Sequence, residues 1–170
     1  MENLILLLAT SLMVRLTPSK KERNKFIGTT GCSALVFSGD ARFHKSVTET
    51  GDDLYFHEHE EAGVEYGVIC VQLKEQYELW EAADLLKQYI EVLKGPFFIL
   101  HHTGLKKESD WNSESSHTVV DYWQDGDKQD WKVKGYTNGR HIAVLYVKNI
   151  SQAEVARQDL FLDSFHFPRV

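Results

Sequence analysis

Two cysteines and three prolines in 170 residues leave the chain with little covalent or conformational stapling. Cys32 and Cys70 lie far apart and neither sits in a C-x-x-C pair, which excludes a zinc knuckle or a dithiol redox motif built from them. They read as two buried small hydrophobes, or as one disulfide if the chain is exported. Positive charge is also in deficit: 19 Lys and Arg stand against 25 Asp and Glu, for a net charge of −6. The densest basic cluster, Lys20, Lys21, Arg23 and Lys25, is interrupted by Glu22. Phosphate binding needs a clustered basic surface, so nucleic acid is not an expected partner.

A long hydrophobic run is missing as well. Residues 4–9 are wholly apolar and Leu12, Met13, Val14 and Leu16 extend them, but a run of roughly a dozen residues is too short to span a bilayer. As a signal peptide it lacks a positive n-region, since it begins Met1-Glu2, and no small-x-small cleavage site precedes Arg15. A lipoprotein anchor would need a cysteine directly after the run, and Cys32 lies beyond the basic stretch. The expectation is a packed N-terminal helix with a stripe of Ile5, Ala9, Leu12 and Leu16, in an extension over residues 1–24 ahead of one domain over 25–170. A cytoplasmic location follows, with export as the alternative if residues 1–16 act as an atypical signal.

Catalytic signatures are absent in turn. There is no G-x-S-x-G elbow, no G-x-G-x-x-G turn and no G-x-x-x-x-G-K-[ST] phosphate loop. The carboxylate pair Asp125 and Asp127 falls in a turn, where Asp is favoured for its local backbone hydrogen bonds. No enzyme, no cofactor and no metal site is expected on these grounds.

What is present is a strand-rich pattern. Ser33 to Phe37 reads as a short buried strand, and Leu54 to Glu60 and Tyr66 to Leu73 read as two strands joined through Ala62-Gly63. Leu79, Ala83, Leu86, Ile90 and Leu93 recur at helical spacing and predict a helix over Tyr77 to Lys94, stopped by Gly95-Pro96. A strand follows over Phe97 to His102. His117 to Trp123, Trp131 to Tyr136 and Arg140 to Val147 predict an antiparallel meander, with Asn138-Gly139 as a type I′ hairpin turn. Ser151 and Glu154 fit a capping box for a last helix ending near Ser164, which would bury Val155 or Ala156, Leu160, Phe161 and Phe165. Hairpin-connected strands that outnumber the helices predict an α+β fold, an antiparallel sheet flanked by helices.

Two clusters invite a functional reading. His57 and His59 point to one face of a strand and could chelate a metal, with Glu58 and Glu60 on the other face, although spacing names no third ligand. The competing reading is a charged edge strand that discourages aggregation. His101 and His102 point to opposite faces and make a poor chelate. Trp111, Tyr122, Trp123 and Trp131 concentrate aromatic surface in the second half and are the candidate partner surface, weighed against cross-strand packing. Trp111 is the lone anchor of the polar loop 106–116.

The segment Asp159-Leu160-Phe161-Leu162-Asp163-Ser164-Phe165-His166-Phe167, preceded by the strand His141 to Val147 and a short helix, resembles the C-terminal signature of PsbP-like domains. That superfamily includes an extrinsic photosystem II subunit, a Ran-binding import factor and many uncharacterised bacterial proteins. The resemblance implies an αβα sandwich of PsbP-like type from about Lys25 to the end. It carries over packing residues and no functional ones. The expected role is a non-enzymatic protein-interaction or assembly-accessory module with another protein as partner. Alternatives are an immunity-type protein that neutralises a toxin, a metal-dependent binder or enzyme using His57 and His59, and a carrier of a small apolar ligand held between sheet and helix.

Overall fold

A computed structural model describes residues 23–37, 41–108 and 115–169. The expected N-terminal helix and Trp111 lie outside the described residues. Within them the strands are β1 (Arg23–Phe26), β2 (Ser33–Val36), β3 (His44–Val47), β4 (Asp53–Glu61), β5 (Val64–Gln72), β6 (Ile99–His102), β7 (Lys106–Glu108), β8 (His117–Asp125), β9 (Asp130–Thr137) and β10 (His141–Lys148). The helices are α1 (Leu79–Leu93) and α2 (Val155–Leu162). No helix among the described residues is long and apolar enough to cross a membrane.

Eight strands form one antiparallel sheet in the order β3-β4-β5-β10-β9-β8-β6, with β7 added beside β8, and β1 and β2 form a separate hairpin. The sheet is centred on β5 and β10, whose near-continuous apolar runs suit strands buried on both faces, and they pair from His141 opposite Gln72 to Lys148 opposite Glu65. Alternation then sends each strand's odd and even positions to two different cores.

One core lies under α1. Leu86 and Ile90 of the helix are fully buried against Val119, Val133 and Val144. Gly135 of β9 lets the helix approach, because a Cβ there would come within 2.7 Å of Ile90 Cδ1 and 3.0 Å of Leu86 Cδ1. The other core lies under the β1–β2 hairpin and α2, where Phe161, Leu162 and Phe165 pack on Tyr66, Tyr136 and Leu145. Ser164 ties these pieces together: its hydroxyl accepts the Leu35 N–H at 2.8 Å and donates to the Phe161 carbonyl at 2.7 Å. An α+β molecule with an antiparallel sheet between helical layers is therefore the architecture.

Three local expectations change. Ser151 makes no side-chain cap; it precedes a 3-10 turn, and reciprocal capping is found at α1, where Glu81 accepts the Glu78 N–H at 3.2 Å. The turn with positive φ at both central residues, as type I′ requires, is Ala62-Gly63 (φ 53° and 78°) and not Asn138-Gly139. At the latter only Gly139 has positive φ, and the Asn138 carboxamide accepts the N–H groups of Arg140 and His141 at 3.0 and 2.9 Å. Gly139 is needed there because the Tyr77 carbonyl would lie 2.4 Å from a Cβ, the Tyr77 amide being hydrogen-bonded to the Gly139 carbonyl. On the last helix Val155, Ala156 and Leu160 face solvent, and Leu162 is buried in their place.

Candidate binding cleft

The helix α1 rests on β9 and β10, and among the described residues no second helix packs on the β4 and β5 side of that face. Sheet register arranges that surface in cross-strand rows. Leu54, Val71 and Ile142 form one row, and Phe56, Ile69 and Val144 form the next. Tyr89, Val92 and Leu93 of α1 stand beside them as a wall, enclosing a recess of about 220 Å³ lined by apolar residues, save for the Tyr89 hydroxyl. Beyond Tyr89 and Val92 it opens into a wider mouth of about 650 Å³ that includes Thr48, Thr50, Asp52, Lys74 and Tyr77.

The polar end is built around Asp52. Its carboxylate accepts the Thr50 hydroxyl at 2.6 Å, the Thr48 hydroxyl at 3.4 Å and the Lys74 amide at 2.9 Å, which fastens the β3–β4 turn to the chain leaving β5. Burial pushes this carboxyl up, and the donors outweigh it, so Asp52 is held below the usual Asp value and stays ionised. Tyr89 presents its hydroxyl to the same threonines; burial and the nearby Asp52 charge hold that phenol above its ordinary range.

The far end closes on the row Glu58, Gly67 and Tyr146. Tyr146 is fully buried between Phe97 and Trp131, at ring distances of 5.1 and 5.3 Å, and its phenol donates to the Glu58 carboxylate. Burial raises the Glu58 carboxyl, the Tyr146 hydrogen bond offsets part of this, and the neighbouring Glu65 adds to the rise. Burial and the same Glu58 contact push the Tyr146 phenol far above its ordinary value. Glu65 pairs with Lys148 at 3.2 Å, and the Lys148 ammonium lies 5.2 Å from the Trp131 ring centre.

The residues singled out from sequence are distributed otherwise. Trp123 and Trp131 are only 2% and 3% exposed, which corrects their assignment to a partner surface. Each indole N–H is satisfied by a buried carboxylate, Trp123 by Asp121 at 2.8 Å and Trp131 by Asp125 at 3.0 Å, so an interior position carries no unpaired donor. Tyr122 points the opposite way and is 45% exposed, with the Lys132 ammonium 5.8 Å over its ring. His57 and His59 do share a face, away from the cleft. The His57 Nδ1 lies 3.1 Å from the Arg42 carbonyl, its ring packs against Phe43, and its Nε2 is buried with no hydrogen-bond partner among the described residues. Among the described residues no three His, Cys, Asp or Glu side chains are grouped to hold a metal.

Cys32 and Cys70, distant in sequence, are both free and buried in the core under α2, near enough for each thiol to act on the other's ionisation, and the Cys32 N–H donates to the Thr30 hydroxyl at 3.0 Å. The Cys32 contact and burial push the Cys70 thiol well up. The cleft itself had one legible sign. Leu85, Tyr89 and Val92 form a second apolar strip on α1, more than a helix needs to bury a single face.

No model of a known protein family matches this sequence, and no curated protein matches it.

Proposed function

We propose that this protein is a non-enzymatic binding module whose ligand is a small molecule with an apolar part held in the cleft beside α1. The observation that carries the reading is the apolar recess of about 220 Å³ over Leu54, Phe56, Ile69, Val71, Ile142 and Val144, in which Leu54 and Phe56 are the half-buried members, with polar groups gathered at its mouth. Ligand sites combine an apolar lining with a few convergent polar groups in this way. A wider role as an assembly accessory is compatible with this, but it draws no support from the aromatic residues now placed in the core. The helix–sheet–helix layering supports a PsbP-like relationship, as does the anchoring of Phe161, Ser164 and Phe165.

The test is titration with Nile red, a neutral dye whose emission rises in apolar surroundings. Wild type is expected to bind saturably. Leu54→Trp, which fills the floor, is expected to lose binding while keeping its melting temperature within a few degrees, and Leu160→Trp, on the opposite helix, is expected to bind like wild type. Equal binding by wild type and Leu54→Trp would remove the cleft as the site.

A further inference from the structure

We propose that the cleft selects small organic cations, amines that carry a short apolar group. This rests on reading the cleft as the binding site and adds the charge of its ligand. The sheet register supplies the observation. Along the face under α1 the two apolar rows are followed at one end by the row of Glu58, and then by Glu60 opposite Glu65. At the other end the mouth carries Glu49, Asp52 and Glu75. Against these six carboxylates stand, among the described residues, two ammonium groups, Lys74 at the mouth and Lys148 at the far end, and Lys148 is already paired with Glu65.

The apolar floor is thus acidic at both ends, and a cation leaving the recess in either direction meets net negative charge. Asp52 makes this strongest at the mouth. It is 8% exposed and held ionised by hydroxyl and amide donors, so its charge is fixed at the mouth. Tyr77 and Tyr89 add aromatic faces at the same mouth, which favour ammonium groups. An anionic amphiphile could engage Lys74 only by placing its charge among Glu49, Asp52 and Glu75.

Size decides for a small molecule over a partner helix. The floor is two cross-strand rows deep, about 7 Å along the strands. A docked helix reads anchors at i, i+4 and i+7, about 10 Å apart at the extremes, and its outer anchors would fall on the acidic rows.

The experiment compares hexylamine, hexanol and hexanoate, one chain with three head groups, binding to the full chain at neutral pH and followed by methyl NMR of Ile69 and Val144. Hexylamine is expected to bind about tenfold or more tighter than hexanoate, with hexanol between them. Glu49→Gln combined with Glu75→Gln removes two exposed charges that make no side-chain hydrogen bond or ion pair among the described residues. It is expected to narrow the gap, as is raised salt. Equal binding of all three would overturn the cation preference and leave the cleft reading intact. Tightest binding of hexanoate would show that Lys74 dominates and would also overturn it. Binding of none, or binding that shifts neither methyl, would overturn the cleft reading itself.

Discussion

The ring of Tyr146 lies across Gly67 on the neighbouring strand, so close that a Cβ on Gly67 would sit 2.0 Å from the Tyr146 Cζ. The glycine is what lets the phenol of β10 pass over β5 and reach Glu58 on β4. Gly67→Ala is therefore expected to destabilise by about 2–4 kcal/mol, through displacement of a fully buried ring. Gly63→Ala has open space around it and only a positive φ of 78° to oppose it, and should lose about 1 kcal/mol. Urea denaturation of both variants checks the order, and equal losses would contradict the steric cause.

Ser164→Ala leaves the buried Leu35 amide without its acceptor, at a cost of about 1–3 kcal/mol. Ser151→Ala touches no side-chain cap and should fall within about 0.5 kcal/mol of wild type. Chemical denaturation of the two variants distinguishes the observed role of Ser164 from the capping role expected for Ser151.

Stability should decline as pH falls below the ordinary histidine value. Burial holds His57, His117 and His141 below that value, and nearby positive charge adds to the effect, including Arg140 beside His141. His141 is 4% exposed and among the described residues neither ring nitrogen has a well-formed hydrogen bond, the Thr30 backbone being the polar group nearest to supplying one. A depressed histidine is neutral in the fold while the unfolded chain takes up the proton, so the loss begins as pH drops through about 6.5 and continues down to the native values. Glu58, raised in the fold, works in the opposite direction: its contribution is present at low pH and is lost as pH rises from its ordinary value through its raised one. Thermal melts from pH 8 to 5 should show the decline, and His141→Gln should flatten it. An unchanged slope in that variant would remove His141 as a cause.

Both thiols are fully buried, and Cys70 resists ionisation. A thiol reagent is expected to modify Cys32 and Cys70 only at the rate of unfolding, and to modify them together, because opening one exposes the other. Rapid labelling of either in native buffer would contradict their placement.

Much of the fold was legible in the chain. The stripe through Leu86 and Ile90, the alternation of Leu54 to Glu60 and the apolar runs of β5 and β10 each bury residues by a period that sequence displays directly. β1, β3 and β7 were not legible, being strands of four, four and three residues, mostly exposed and short of any periodic signal. Trp123 and Trp131 were misread because sequence shows aromatic concentration and not the carboxylates that satisfy it. Asp125 lies six residues from Trp131, and only the turn between β8 and β9 brings the two together.

The amino-acid sequence by itself determined the α+β class, the central hairpins and the absence of nucleotide-loop and nucleophile-elbow motifs, because periodicity and motif spacing are local properties of the chain. Tertiary structure decided the cleft, of which the chain shows only the second apolar strip of Leu85, Tyr89 and Val92. Its rows join Leu54, Val71 and Ile142 across three strands, and its acidic ends come from residues as far apart as Glu49 and Glu75. Which side of the sheet α1 leaves uncovered depends on Gly135 admitting Leu86 and Ile90, a long-range steric fit that local spacing does not encode.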